Sequence, residues 1–275
     1  MRSALLTGTP HCFAIDDFGE REPLLFRHRL CLMLMPHPQS RFSAALRLGA
    51  VLLSKPGIAA TILGVRRERL TYLTVPALLE LHQAAARVEA DNLPGIFVEA
   101  GCALGGSAIV LAASKRAERP FYVYDVFGMI PPPSPNDERD AWSRYEEIQT
   151  GHSPGIGSDL YYGYQSDLRE RVMRNFERHG LPLDRFNIHL VQGLYEDTLH
   201  FAEPVALAHI DCDWHDSVWM CLTRITPHLV VGGRLIIDDY EDYAGCRKAV
   251  DRYFAHQRDC FAFEMRSRLH IVRLR

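Results

Sequence analysis

The chain has 275 residues, a net charge of −3, 47% hydrophobic residues and 24% charged residues. That is enough for one large α/β domain with an appendage, or for two small domains. The charge gives no electrostatic reason to expect nucleic acid or an anionic membrane as a partner. Seven cysteines are scattered without a CxxC pair or a Cys/His metal spacing, which reads as free thiols in a reducing compartment, so a cytoplasmic location is expected.

Residues 1–66 read as an N-terminal arm or helical extension. The first forty mix Pro10, Pro23, Pro36 and Pro38 with the apolar patch Leu30-Cys31-Leu32-Met33-Leu34-Met35, suited to oligomer contacts or to covering an active site. Residues 41–66 look helical, with a break near Lys55-Pro56-Gly57. The apolar stretch 44–53 contains Arg47 and runs into Lys55-Pro56, so no membrane span is expected. The polar run from His11 to Glu22 argues against a signal peptide.

Residues 67–275 read as the main domain. Leu78, Leu79, Leu81, Ala85 and Val88 recur at helical spacing after Pro76. Then comes the run Ile96-Phe97-Val98-Glu99-Ala100-Gly101, followed by Gly105-Gly106-Ser107 and the helix-forming Ala108–Ala113. Strand, glycine turn and helix form the unit that binds nucleotide-type cofactors: glycine tolerates positive φ, and the new helix offers free N–H groups. A second apolar run, Pro120–Asp125, ends in a carboxylate. About 128–166 is a polar insert with Pro131-Pro132-Pro133-Ser134-Pro135, a short helix near 141–148 and the cluster Tyr161-Tyr162-Gly163-Tyr164. It is longer than a connection needs and reads as a lid or substrate loop. Regular structure resumes with a helix over 168–179 and a strand over 186–191. The apolar run 206–211 precedes a helix through 218–225. The run 234–239 precedes a helix over 246–256, and the last strand spans 269–274. Strands alternating with helices predict a mostly parallel, doubly wound sheet.

In such sheets ligands bind beyond the carboxyl ends of the strands. Glu99, Asp125, Asp211 (with Asp213 two residues on) and Asp238-Asp239 all stand at or beside such ends. A buried strand has no use for terminal carboxylates, so four on one edge point to a site. Asp125 is placed to accept hydrogen bonds from ribose hydroxyls. The glycines are spaced Gly101-xxx-Gly105-Gly106 rather than GxGxxG, which favours S-adenosylmethionine (SAM), with its ribose but no pyrophosphate, over a dinucleotide. Asp211, Asp238 and Asp239 offer an all-oxygen site suited to Mg²⁺, with Asp213 able to replace or assist Asp211.

Together these motifs resemble the macrocin, mycinamicin and novobiocin-type sugar O-methyltransferases, over roughly residues 70–256. The resemblance is carried by Glu99-Ala100-Gly101 with Gly105-Gly106-Ser107, Tyr124–Met129 followed by prolines, and Gly193–Leu199. It continues through Ile210-Asp211-Cys212-Asp213-Trp214, Gly232-Gly233 with Ile236–Tyr240, and Gly245 with Lys248–Asp251. It implies a class I, Rossmann-like methyltransferase with an antiparallel last strand, SAM as donor and Mg²⁺ as metal. By resemblance Glu99, Gly101, Gly105 and Ser107 line the methionine end of SAM and Asp125 its ribose. Gly193 to Asp197 lie by the adenine, and Asp211, Asp238 and Asp239 hold Mg²⁺. The family's usual Tyr and Ser-Thr pair after Asp-x-Asp-Trp is replaced here by His215-Asp216-Ser217-Val218. The first sixty residues match nothing in the family core.

The expected reaction is in-line methyl transfer to a hydroxyl of a small molecule, most naturally a sugar moiety of a natural product, with a phenol or another small polyol as the alternatives. Asp211 or His215 would take the proton, and Trp142 and Tyr145 would line the acceptor pocket. The rival readings are an NAD-linked oxidoreductase and a non-catalytic SAM-binding protein. A homo-oligomer is compatible with the sequence.

Overall fold

The computed structural model describes Gly49, Val51 and residues 54–275 apart from Ser158 and Phe201. Expectations for residues 1–48, the Leu30–Met35 patch among them, lie outside the described residues. Seven strands form one sheet in the order β3-β2-β1-β4-β5-β7-β6. These are β1 (Ile96–Ala100), β2 (Phe121–Asp125), β3 (Ile188–Gln192), β4 (Val205–Ile210), β5 (Leu229–Ile237), β6 (Phe261–Met265) and β7 (Leu269–Arg273). β1 to β5 run parallel, and β7 lies antiparallel to both β5 and β6. Every residue of β1 and β4 is buried, as expected for central strands covered on both faces. The strand order reverses between these two strands, and Ala100 stands opposite Ile210, so Gly101 and Asp211 leave the sheet side by side.

Helices α1 (Pro56–Arg67), α2 (Val75–Ala90), α3 (Gly106–Ser114) and α5 (Leu168–Arg178) contribute to the core on one face. Pro at the start suits α1, and Thr74 Oγ1 caps α2 by accepting the Ala77 N–H at 3.4 Å. Leu78, Leu81, Ala85 and Val88 make the buried stripe of α2, as their spacing predicts. Ile62 and Val65 of α1 belong to the same core, so residues 56–66 pack on the domain rather than standing off as an extension. The other face carries α7 (His215–Ile225) and α8 (Ala244–Phe254), with Leu222, Ile225, Val250 and Phe254 buried. The insert is ordered around α4 (Arg139–Gln149), and the short α6 (Tyr195–Thr198) follows β3. Among the described residues no helix is long and apolar enough to cross a membrane, and Cys102, Cys212, Cys221, Cys246 and Cys260 are free thiols.

Two elements depart from the expected pattern. β5 begins at Leu229, crossing Gly232-Gly233, because Leu229 is fully buried and anchors the strand before the glycines. β6 was not anticipated: it is an edge strand whose residues are mostly half-buried, so its period-two signal is weak.

One core group makes the fold pH-sensitive. His82 on α2 is buried with Nδ1 2.9 Å from Ser114 Oγ. Burial, assisted by the Lys55 charge, holds its pKa down to about 4. The unfolded chain therefore binds a proton that the folded chain refuses. This contribution is complete above the unfolded pKa near 6.5 and is lost as pH falls towards 4. Urea unfolding should show a loss of about 2–3 kcal/mol from this group between neutral and pH 4. His82→Gln should lack that part of the slope; parallel pH profiles for the two proteins would rule His82 out as its source.

Candidate active site

The turn after β1 is shaped by backbone demands. Gly101 sits at φ +86°, and a Cβ there would collide with the Asp211 carbonyl oxygen. Gly105 caps α3 at φ +88°, and the Gly106 N–H donates to the Leu70 carbonyl at 3.0 Å. Asp125, ending β2, braces this turn. Its Oδ2 accepts from the Cys102 and Ala103 N–H groups at 2.8 and 3.3 Å, and its Oδ1 from Phe127 at 2.7 Å. Burial still raises its pKa, against the lowering by those three bonds. Three of the carboxylate's roughly four lone-pair sites are thus used, and the one on Oδ1 remains for a ligand.

A cavity of about 590 Å³ opens at the switch point, a size typical of small-molecule sites. Gly101, Asp125, Gly193, Leu194, Tyr195 and Glu196 line it from the β1–β3 side. From the β4 side come Asp211, Asp213 and His215 to Ser217, with Trp219 and Met220 of α7. Pro131 to Ser134, Asn136, Tyr161 and Tyr162 of the insert complete the wall. The insert is tied to the start of α7. Trp214 Nε1 donates to the Pro131 carbonyl at 2.9 Å, the His215 N–H to Asp137 Oδ1 at 2.7 Å, and Asn136 Nδ2 to Asp216 Oδ1 at 2.9 Å. Gly245 allows this approach, since a Cβ there would collide with Asp137 Oδ1.

The acids in and behind the cavity wall are crowded. Asp211 is held well above the usual carboxylate range by burial and by Asp238 and Asp239, with His209 opposing. Burial, with Asp239 facing Asp213 and Asp238, does the same to Asp239. Asp213 is pushed up to about 7, mainly by burial and Asp238; its N–H donates to Asp239 Oδ2 at 3.0 Å. Asp238 is different: burial would raise it, but His209 and Arg268 pull it below the ordinary value. Arg268 Nε lies 2.7 Å from Asp238 Oδ1. His209 Nδ1 lies 2.7 Å from Glu99 Oε1, and Nε2 is 3.8 Å from Asp238, an ion-pair distance rather than a hydrogen bond. Burial lowers the His209 pKa, but the two carboxylates win and raise it to about 10. A protonated imidazole has no lone pair for a metal.

The residues singled out in the sequence separate accordingly. Gly101, Asp125, Gly193, Asp211 and His215 meet at the cavity. Asp238 and Asp239 stand behind its wall; side-chain donors of His209, Asp211 and Asp238 gather within 4.8 Å, and those of Asp238, Asp239 and Asp242 likewise. The expected Asp211-Asp238-Asp239 set is thus spread over two groups joined by Asp238. Glu99 is fully buried against His209, Gly105 and Ser107 shape α3, and Asp197 is exposed; none of them lines the cavity. Trp142 and Tyr145 pack edge-to-face on each other (centroids 6.4 Å apart) and do not line it either. Sequence reasoning missed His209, Arg268, Trp219 and Arg252. His209 alone carried a signal, a histidine inside an otherwise apolar strand.

A doubly wound sheet with β7 antiparallel and a cavity at the β1/β4 switch point defines a class I, Rossmann-like methyltransferase. The family model "Macrocin-O-methyltransferase (TylF)" matches residues 23–260, and the chain belongs to this family of SAM-dependent O-methyltransferases. The match begins well before residue 60, which corrects the expectation that the first sixty residues lie outside the family pattern. The chain is 31% identical to demethyldecarbamoylnovobiocin O-methyltransferase of Streptomyces niveus over 73% of this chain and 70% of that one. It is 32% identical to 8-demethyl-8-(2,3-dimethoxy-alpha-L-rhamnosyl)-tetracenomycin-C 4'-O-methyltransferase of Streptomyces olivaceus, over 72% and 69%. Among solved structures, the O-methyltransferase NovP aligns with a TM-score of 0.63 at 26% identity, covering 75% of this chain and 83% of that one. Family membership removes the NAD-linked oxidoreductase reading.

Proposed function

We propose that this enzyme methylates a hydroxyl of a small molecule, a sugar moiety of a natural product, with Mg²⁺ held at the acid cluster. The observation that carries the reading is the junction of Gly101 and Asp211. The end of β1 that faces the donor side and the end of β4 that bears the acids open onto one cavity. The sugar acceptor is supported by the rhamnosyl substrate named for the Streptomyces olivaceus relative.

SAM, when bound, would supply a sulfonium methyl for transfer to the acceptor oxygen, leaving as the thioether. Gly101, Asp125 and Gly193 shape the donor side of the cavity, where Asp125 would accept from the ribose. Asp211, Asp238 and Asp239 would hold Mg²⁺, which when bound supplies charge to stabilise the developing oxyanion. The donor set fits: all three offer hard carboxylate oxygens, and Asp211 and Asp239, raised by burial and crowding, gain most from a divalent charge. With Asp211 committed to the metal, Asp213 beside it in the cavity wall, pushed up to about 7, is suited to take the hydroxyl proton. Pro131–Pro133, Tyr161 and Tyr162 keep water from the reacting atoms.

Titration calorimetry tests both components. SAM should bind wild type and Asp238→Ala alike, whereas Mg²⁺ should bind wild type and fail to bind Asp238→Ala. A wild-type protein that does not bind SAM would overturn the methyltransferase reading. SAM binding without Mg²⁺ binding would remove the metal from the mechanism.

A further inference from the structure

Eight buried side-chain nitrogens and oxygens lack a hydrogen-bond partner among the described residues; of these, only His215 Nε2 belongs to a residue of the cavity wall. The residue is 2% exposed, and its other ring nitrogen is already used. Nδ1 lies 2.6 Å from Asp216 Oδ1, the same oxygen that accepts from Asn136 Nδ2. Burial raises the Asp216 carboxyl, but hydrogen bonds from His215, Asn136 and Ser134 bring it below its ordinary value. The Asp216 carboxylate only accepts, so Nδ1 carries the hydrogen directed at it, and in that tautomer Nε2 presents a lone pair with no partner. Leaving such an atom buried and unmatched costs free energy that a donor on a bound molecule recovers.

The ring is also fixed in place. The His215 N–H is held by Asp137, the ring lies 4° from parallel to Trp219, and the bare α-carbon of Gly245 leaves room beside its Cβ. A group with one nitrogen oriented, one nitrogen unsatisfied and its rotamer restrained is built to recognise a donor.

Resting on the methyltransferase reading, we propose that His215 Nε2 accepts a hydrogen bond from a second hydroxyl of the acceptor, one that is not methylated. Asp216 and Asn136 are the positioning residues that hold its tautomer. The acceptor class is thereby a ring bearing at least two hydroxyls, as in a sugar, rather than a simple phenol. A pocket that bonds a hydroxyl discriminates strongly against the analogue that lacks it, because its own polar atom is then stranded.

The test uses steady-state kinetics at saturating SAM and Mg²⁺, with p-nitrophenyl α-L-rhamnopyranoside and its monodeoxy analogues as probes. His215→Phe should raise KM for the rhamnoside about 10- to 100-fold with kcat nearly unchanged. SAM affinity by calorimetry should be equal in the two proteins. One deoxy analogue should suffer the same loss on wild type and no further loss on His215→Phe. Asp216→Asn, which can present a donor to Nδ1 and invert the tautomer, should reproduce the KM defect with the ring intact. His215→Gln, retaining an acceptor oxygen, should recover part of it. A drop in kcat at constant KM would make His215 a base and overturn the proposal, as would deoxy and His215→Phe penalties that simply add. Wild type that binds SAM yet turns over no rhamnoside would refute the polyol class. Failure to bind SAM at all would instead sink the reading beneath it.

Discussion

Asp211→Asn should lower kcat by about a thousandfold or more while SAM still binds. Asp211 is the proposed metal ligand that also lines the cavity, so the substitution removes a negative charge and one carboxylate oxygen from the metal set at the cavity wall. The same change should make the metal-free fold more stable. Asp211 is half-buried, and desolvation with the Asp238 and Asp239 charges disfavours its ionised form more than His209 favours it. Transfer of labelled methyl in a single turnover, Mg²⁺ calorimetry and the thermal midpoint check the three parts. Turnover within about tenfold of wild type would mean that the acceptor oxygen is stabilised elsewhere.

The second large effect belongs to Gly101→Ala. A Cβ at this position meets the carbonyl of Asp211, and the φ of +86° is one that alanine resists. Relief requires the ends of β1 and β4 to part, breaking the hydrogen bond from the Asp211 N–H to the Ala100 carbonyl at 2.9 Å. A loss of about 4 kcal/mol or more is expected, together with loss of SAM binding. Gly180→Ala is the control. Its φ is +72°, but nothing lies within 4 Å of its Cβ position, so only the backbone penalty applies, about 1 kcal/mol. Equal destabilisation of the two variants would show that the contact with Asp211 is unimportant.

The sheet was legible in the sequence because β1, β2 and β4 are short continuous apolar runs, bounded by turn residues, with acids at or beside their ends. Asp125, Asp211 and Gly101 were legible for the same reason: topology alone brings strand ends to one edge. What the sequence did not reveal depends on side-chain direction. Glu99 shares a strand end with Gly101, yet its carboxylate turns into the core towards His209. Asp197 lies four residues after Gly193, but in a one-turn helix it faces solvent while Glu196 faces the cavity. Arg268 approaches Asp238 from a turn thirty positions away, a contact that local spacing cannot encode. Trp219 and Arg252 meet across two helices, with the guanidinium 5.0 Å from the indole centroid.

The three hydrogen bonds that tie Pro131, Asn136 and Asp137 to the start of α7, and the missing side chain of Gly245 that permits them, make one heritable unit of two distant stretches of chain. A graft of residues 213–219 from a relative would arrive without its matching proline loop, and the reverse graft would lose its anchor. Acceptor preference in this scaffold should therefore be exchanged in pairs, 131–140 with 213–245, while the β1–β3 half that faces the donor stays as it is.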